Sequence, residues 1–300
     1  MRRYLALLPL LLCACKPSEQ GHMKAIVGAV MIDGRGGPPL SNSIVVIDAS
    51  VIREAGPSSA VPIPDEADKI NGAGKFLVPG LVDVCPSAEP PGIVRATSAD
   101  DARSQVGALI AANRSPIYVG KIPPAAIQAA LEAARESTIP AIGLIATRAD
   151  AQVMVDKGAT ALVGMIRDTE DLDAALLNRL RDLRIVVAPA LAAIPPGPEL
   201  DLARRNTKRM FDSGVLLAAA SAGADLLRET EALAAAGIPP LDIIVAATQH
   251  SALALRQTDA GTIQAGHRAD LILLSANPGE DIRNLARVAG RVTAGVWTEK

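Results

Sequence analysis

The chain has 300 residues, 49% of them hydrophobic and 21% charged, which is enough apolar material for a sizeable core and one or two domains. Its formal net charge of -2 gives no basic footprint for nucleic acid. Two tyrosines, two phenylalanines and one tryptophan leave little surface on which bases could stack.

In chain order, Arg2 and Arg3 form a basic start, residues 5–12 an apolar run, and Leu12-Cys13-Ala14-Cys15 places small residues before a cysteine. This pattern predicts a secretory signal peptide, and the apolar run is too short to span a bilayer as a helix. The segment 1–15 resembles a bacterial lipobox, which implies cleavage before Cys15, lipidation of that cysteine and a membrane-anchored protein in the cell envelope. The plainer alternative is a secreted signal with incidental cysteines. By resemblance to lipoprotein sorting rules, Lys16 after the cysteine favours a periplasm-facing position on the outer membrane. Cys85 then stands alone, without an intramolecular disulfide partner.

Residues 16–23 read as a polar tether. Short β-rich pieces follow at 25–32, 43–47, 51–55 and 69–70, broken by glycine and proline, and similar pieces return at 269–274, 287–289 and 291–297. The two ends, 24–78 and 260–300, are expected to pair into one composite β-subdomain. Between them, the domain 79–259 alternates apolar strands with helices, as parallel β/α units do. Strands are expected at 81–84, 116–119, 141–145, 161–163, 185–188 and 215–219, with a remnant at 93–96. Helices are expected at 99–112, 124–137, 150–157, 169–182, 200–212 and 226–237.

Val78-Pro79-Gly80-Leu81-Val82-Asp83-Val84-Cys85-Pro86-Ser87 resembles the first barrel strand of the amidohydrolase superfamily, in its imidazolonepropionase-like and prolidase-like branches. Residues 25–34 are similar to that family's opening strand, and residues 261–274 to its closing segment Gly-Thr-Ile-x-x-Gly-x-x-Ala-Asp-Leu. The resemblance implies a TIM-like (β/α) barrel beside a small β-sandwich subdomain made from both chain ends. A complete barrel needs eight strands. Six are evident here and the shortage falls between Cys85 and Pro116, so an incomplete barrel with an open edge is expected.

The family holds zinc or another divalent metal with His-x-His on the first strand, a lysine or acid on the fourth, histidines on the fifth and sixth, and an aspartate on the eighth. By that resemblance the corresponding positions here are Cys85 and Ser87, Ile117, Leu144, Gly164 and Ala222. None of these side chains can replace an imidazole–carboxylate set around a cation. With only His22, His250 and His267 in the chain, four histidine ligands cannot be assembled under any alignment. Asp83, and after the eighth strand Asp225 with Arg228 and Glu229, could line a residual pocket. Their plainer roles are a hydrogen bond within the barrel and, for Asp225 with Arg228 and Glu229, the polar first turn of a helix.

The expectation is an amidohydrolase-related lipoprotein with no catalytic residue, no metal and no cofactor. It would bind a small molecule, associate with itself or dock a protein at the open barrel edge. The alternative is an active hydrolase of non-peptide carbon–nitrogen bonds with an atypical site.

Overall fold

The computed structural model describes residues 23–300; the signal and lipobox, Cys15, His22 and the tether up to it lie outside the described residues. Five strands open this part of the chain: β1 (Lys24–Met31), β2 (Leu40–Asp48), β3 (Val51–Pro57), β4 (Asp68–Asn71) and β5 (Phe76–Pro79). Next come β6 (Ile93–Val94), β7 (Ile117–Val119), β8 (Ala141–Leu144), β9 (Ala161–Val163) and β10 (Val186–Ala188). Helices α1 (Ala99–Ala111), α2 (Pro124–Glu136), α3 (Arg148–Lys157) and α4 (Ala174–Asp182) lie between those five strands. Helices α5 (Pro198–Asp212), α6 (Leu226–Ala235) and α7 (Pro240–Val245) follow, and β11 (Leu271–Leu274), β12 (Val288–Thr293) and β13 (Val296–Glu299) end the chain. No helix among the described residues is long and apolar enough to cross a membrane.

Local chemistry sets the helix ends. Thr147 and Asp150 form a reciprocal capping box at the start of α3, and Gly158 closes that helix in the left-handed conformation. Asp173 caps α4, which begins five residues later than the pattern 169–182 predicts because residues 169–173 form a loop before that cap.

The two chain ends do combine. The order β13-β12-β11-β5-β1-β2-β3, with β4 beside β1, makes one eight-stranded sheet in which β5 is parallel to β1 and antiparallel to β11. The sheet wraps back on itself: Ile52 N–H bonds to His267 O at 2.8 Å, and Val51 bridges to Arg268. Where two stacked layers were expected, one continuous sheet folds around Ile26, Ile47, Ile52, Leu77, Leu271 and Leu273. Burying that apolar set is what drives the wrap.

The central part is a parallel sheet in the sequential order β6 to β10, with helices packed on it. Backbone bonds extend it further. Val187 N–H reaches Leu216 O and Ala218 N–H reaches Val187 O, while Val84 N–H reaches Ala219 O and Ala222 N–H reaches Cys85 O. Residues 215–222 therefore follow β10, and residues 82–85 follow them. Among the described residues no backbone hydrogen bond joins 82–85 to β6, and residues 86–92 connect the two without a helix.

Side chains alternate across these short strands. Tyr118, Ile142, Val163, Val186, Ala188, Ala218 and Ala220 share one apolar cluster with Val84 and Cys85, whereas Ile117, Leu162, Val187 and Leu217 pack in the cluster beneath the helices. Tyr118 Oη donates to Val84 O at 2.7 Å. Since β7 and residues 82–85 lie near opposite ends of the strand order, that contact requires the sheet to curl until its ends approach.

Replacing Tyr118 with Phe removes the donor and leaves the Val84 carbonyl in an apolar interior. A loss of about 1–2 kcal/mol in chemical denaturation is expected, with the far-ultraviolet spectrum unchanged.

Candidate functional site

Most of the sequence-derived site positions fall at the C-terminal edge of the curled sheet, whereas Ile117 is the first residue of β7. Asp83 stands at the centre of that edge. Its Oδ1 accepts the N–H of Cys85 and the N–H of Ser221, both at 3.0 Å. The carboxylate therefore ties residues 82–85 to residues 217–222, and half of its acceptor capacity is spent on backbone.

Cys85 is 2% exposed, and its thiol donates to Ser87 O at 3.2 Å. Burial pushes the thiol up to about 11, aided by the nearby Asp83 charge and opposed by the bond to Ser87. It is thus protonated at neutral pH and is neither a ready nucleophile nor a thiolate ligand. The Ser87 hydroxyl is engaged locally, with the backbone of Glu89.

One aligned position is corrected by the strand geometry. Ile117 packs under the helices, so the residue of that strand facing the interior is Tyr118. Leu144 does face inward, packed against the interior cluster. Gly164 has φ +100°, and a Cβ there would run into Ile145 O, so the backbone itself leaves no room for a side chain. Ala222, at φ 46°, uses its N–H to reach Cys85 O at 2.7 Å. Lys121 is exposed after β7, at the rim of a small cavity of about 170 Å³ that Leu144 and Asp150 also line.

Asp225 does not join Asp83 in a residual pocket. It is exposed and caps α6, accepting from Leu227 N at 2.7 Å. The two described histidines are also committed elsewhere. His250 Nδ1 pairs with Leu217 O at 2.8 Å, and His267 bonds to Thr262 and Gln264 in a turn. Burial lowers the pKa of both rings.

Glu229 departs most from the sequence reading. Rather than a solvated first-turn acid, it is fully buried on the face of α6 that also carries Thr230 and Leu233. Its Oε2 accepts from Ala192 N at 2.7 Å, while Oε1 has no hydrogen-bond partner among the described residues. Ala190 adopts the left-handed conformation just after β10, turning the following backbone toward the carboxyl. Burial raises the Glu229 pKa to about 8, and the Asp83 charge pushes the same way, against the N–H groups of residues 190–192. At neutral pH this is a neutral acid. The 229, 230, 233 spacing was the available sequence signal for a buried face.

Among the described residues, no three His, Cys, Asp or Glu side chains are grouped to hold a metal ion. One shared carboxylate and one protonated thiol do not fit a divalent hydrolytic centre.

The curled parallel sheet beside a composite terminal sheet is a fold shared with solved structures of hydrolases. Ochratoxinase from A. niger superposes with a TM-score of 0.81 at 15% identity, over 93% of this chain and 96% of that one. Molinate hydrolase gives 0.79 at 14% identity over 93% and 95%, and a structure titled simply as an amidohydrolase gives 0.77 at 14% over 93% and 99%. Likeness at such identities defines the fold alone. No family model matches the chain, and no curated protein does.

Glu229 has a sharp test. Its folded pKa lies above its ordinary value of 4.5, so its contribution to stability is fully present below that pH and is lost as pH rises through about 8. Glu229→Gln keeps an acceptor for Ala192 N without ever ionising. Denaturant titrations should show the variant more stable by roughly 3 kcal/mol at pH 7, with a flatter profile between pH 4.5 and 8.

Proposed function

We propose that this chain is a hydrolase-related protein in which the ancestral metal chemistry has been lost, retained as a binding or partner protein on a lipid anchor. The observation that carries this reading is the interior of the curled sheet: Tyr118, Leu144, Val163, Ala188 and Ala220 are apolar neighbours there, with no imidazole among them. Hydrolysis by the family's route needs a cation that lowers the pKa of bound water, and these side chains offer nothing to coordinate one.

In the same reading, the curled sheet is a shortened TIM-like (β/α) barrel. Residues 86–92 run straight from the first strand segment to β6, where the family places further β/α units. The unpaired edge between 82–85 and β6 is the place for self-association or a partner protein. Lipidation at Cys15 would hold the protein on the periplasmic side of the outer membrane, a reading supported by the pattern of residues 1–15.

A second reading, an atypical carbon–nitrogen hydrolase, draws on one observation: a neutral buried acid, Glu229, lies near the Asp83 carboxylate. General acid–base work by such a pair would need no metal.

Metal analysis and turnover separate the two. Purified protein should carry well under one equivalent of zinc, iron or manganese and should not hydrolyse dipeptide, carbamate or amide substrates. One tightly bound equivalent with chelator-sensitive turnover overturns the proposal, and metal-free turnover abolished by Glu229→Gln establishes the second reading. For the anchor, Cys15→Ser should abolish incorporation of labelled fatty acid and release the protein from the membrane fraction.

A further inference from the structure

Away from the sheet's C-terminal edge, a cavity of about 420 Å³ lies between the composite sheet and the central α/β part. Its size is within the range of small-molecule sites. Leu81 and Leu227 from the central part face Ile272 and Leu285 across it, giving apolar walls. Two guanidiniums, Arg268 and Arg291, line the same space with one carboxylate, Asp270.

These charges are not equivalent. Asp270 is built into the fold: Oδ1 accepts Ala294 N at 2.7 Å, and Oδ2 takes Arg268 Nε. That pairing fixes the Arg268 side chain while its Nη atoms find no acceptor among the described residues. Arg291, although its backbone is paired in the sheet, has no side-chain hydrogen-bond or salt-bridge partner among them. It stands in register beside Ile272 on the strand face opposite the buried Leu271, Leu273 and Val292, so charge and apolar wall adjoin. Two cations against one anion leave the cavity with one uncompensated positive charge.

We propose that this cavity is a binding site for an amphipathic monoanion, an apolar body bearing a single carboxylate. The carboxylate would take the free N–H groups of Arg291, with the Arg268 Nη atoms adjacent, in the forked geometry that guanidinium favours. The apolar body would lie against Leu81, Leu227, Ile272 and Leu285. A doubly charged ligand would meet Asp270, and a neutral one would leave Arg291 unmatched. The site is independent of whether the C-terminal edge of the parallel sheet performs any reaction.

Calorimetric titration of the full chain with octanoate, octanamide and acetate tests this. Octanoate should bind at one site per chain, and octanamide and acetate at least tenfold more weakly, because each lacks one half of the recognition. Arg291→Gln, at an exposed strand position, should weaken octanoate at least tenfold without changing the melting temperature. In the unaltered protein, octanoate should shift the methyl resonance of Ile272. Equal affinity for octanoate and octanamide, undiminished binding by the variant, an unmoved Ile272 signal, or no saturable octanoate binding would each overturn the assignment.

Discussion

The Asp83 carboxylate is the joint on which the central architecture rests. One oxygen accepts an N–H from its own strand, at Cys85, and another from Ser221, far along the chain, so the first and last segments of the parallel sheet are held in register at their C-terminal ends. The adjoining bonds Val84–Ala219 and Ala222–Cys85 then follow from backbone geometry. A carboxylate with two backbone donors is a strong, charge-assisted anchor. Oδ1 of Asp83 is thereby occupied, which leaves the other oxygen of the same residue for any further contact.

With that register set, the inward positions are decided by strand alternation, and they are filled by apolar side chains of modest size. Tyr118 contributes the one long polar reach, and its hydroxyl is absorbed by the Val84 carbonyl. An interior of this kind stabilises the sheet by excluding water, the opposite of what a site for activated water requires. At Gly164 the backbone itself limits what can line this edge, since its positive φ and the closeness of Ile145 O leave no space for a side chain. Glu229 is the exception within this dry surrounding, a carboxyl held neutral by burial and steadied by the turn after β10.

Much of this was legible in advance. The strand runs, the alternation with helices and the pairing of the two chain ends follow from pattern, namely glycine and proline breaks and apolar periodicity, whereas the caps at Thr147 and Asp173 set helix starts that the pattern misses. The motif around Val78–Ser87 pointed to the fold that the structural neighbours share. The facing of β7 was not legible, because in three residues Ile117, Tyr118 and Val119 all look buried and only the neighbouring layers distinguish inside from outside. Glu229 was misread for a related reason: an acid in a first turn is usually solvated, and nothing local reveals that the segment after β10 closes over it.

The sequence by itself determined the element order, the kind of residue at each aligned site position and the shortage of histidines, because these depend on near neighbours and on composition. Only the tertiary structure decided that Asp83 is a strand tie, that Tyr118 rather than Ile117 faces the interior, that Glu229 is buried and neutral, and that Arg268 and Arg291 share a cavity. Each of those outcomes depends on groups brought together from distant parts of the chain. Burial and charge environment are properties of that assembly, and no local pattern encodes them.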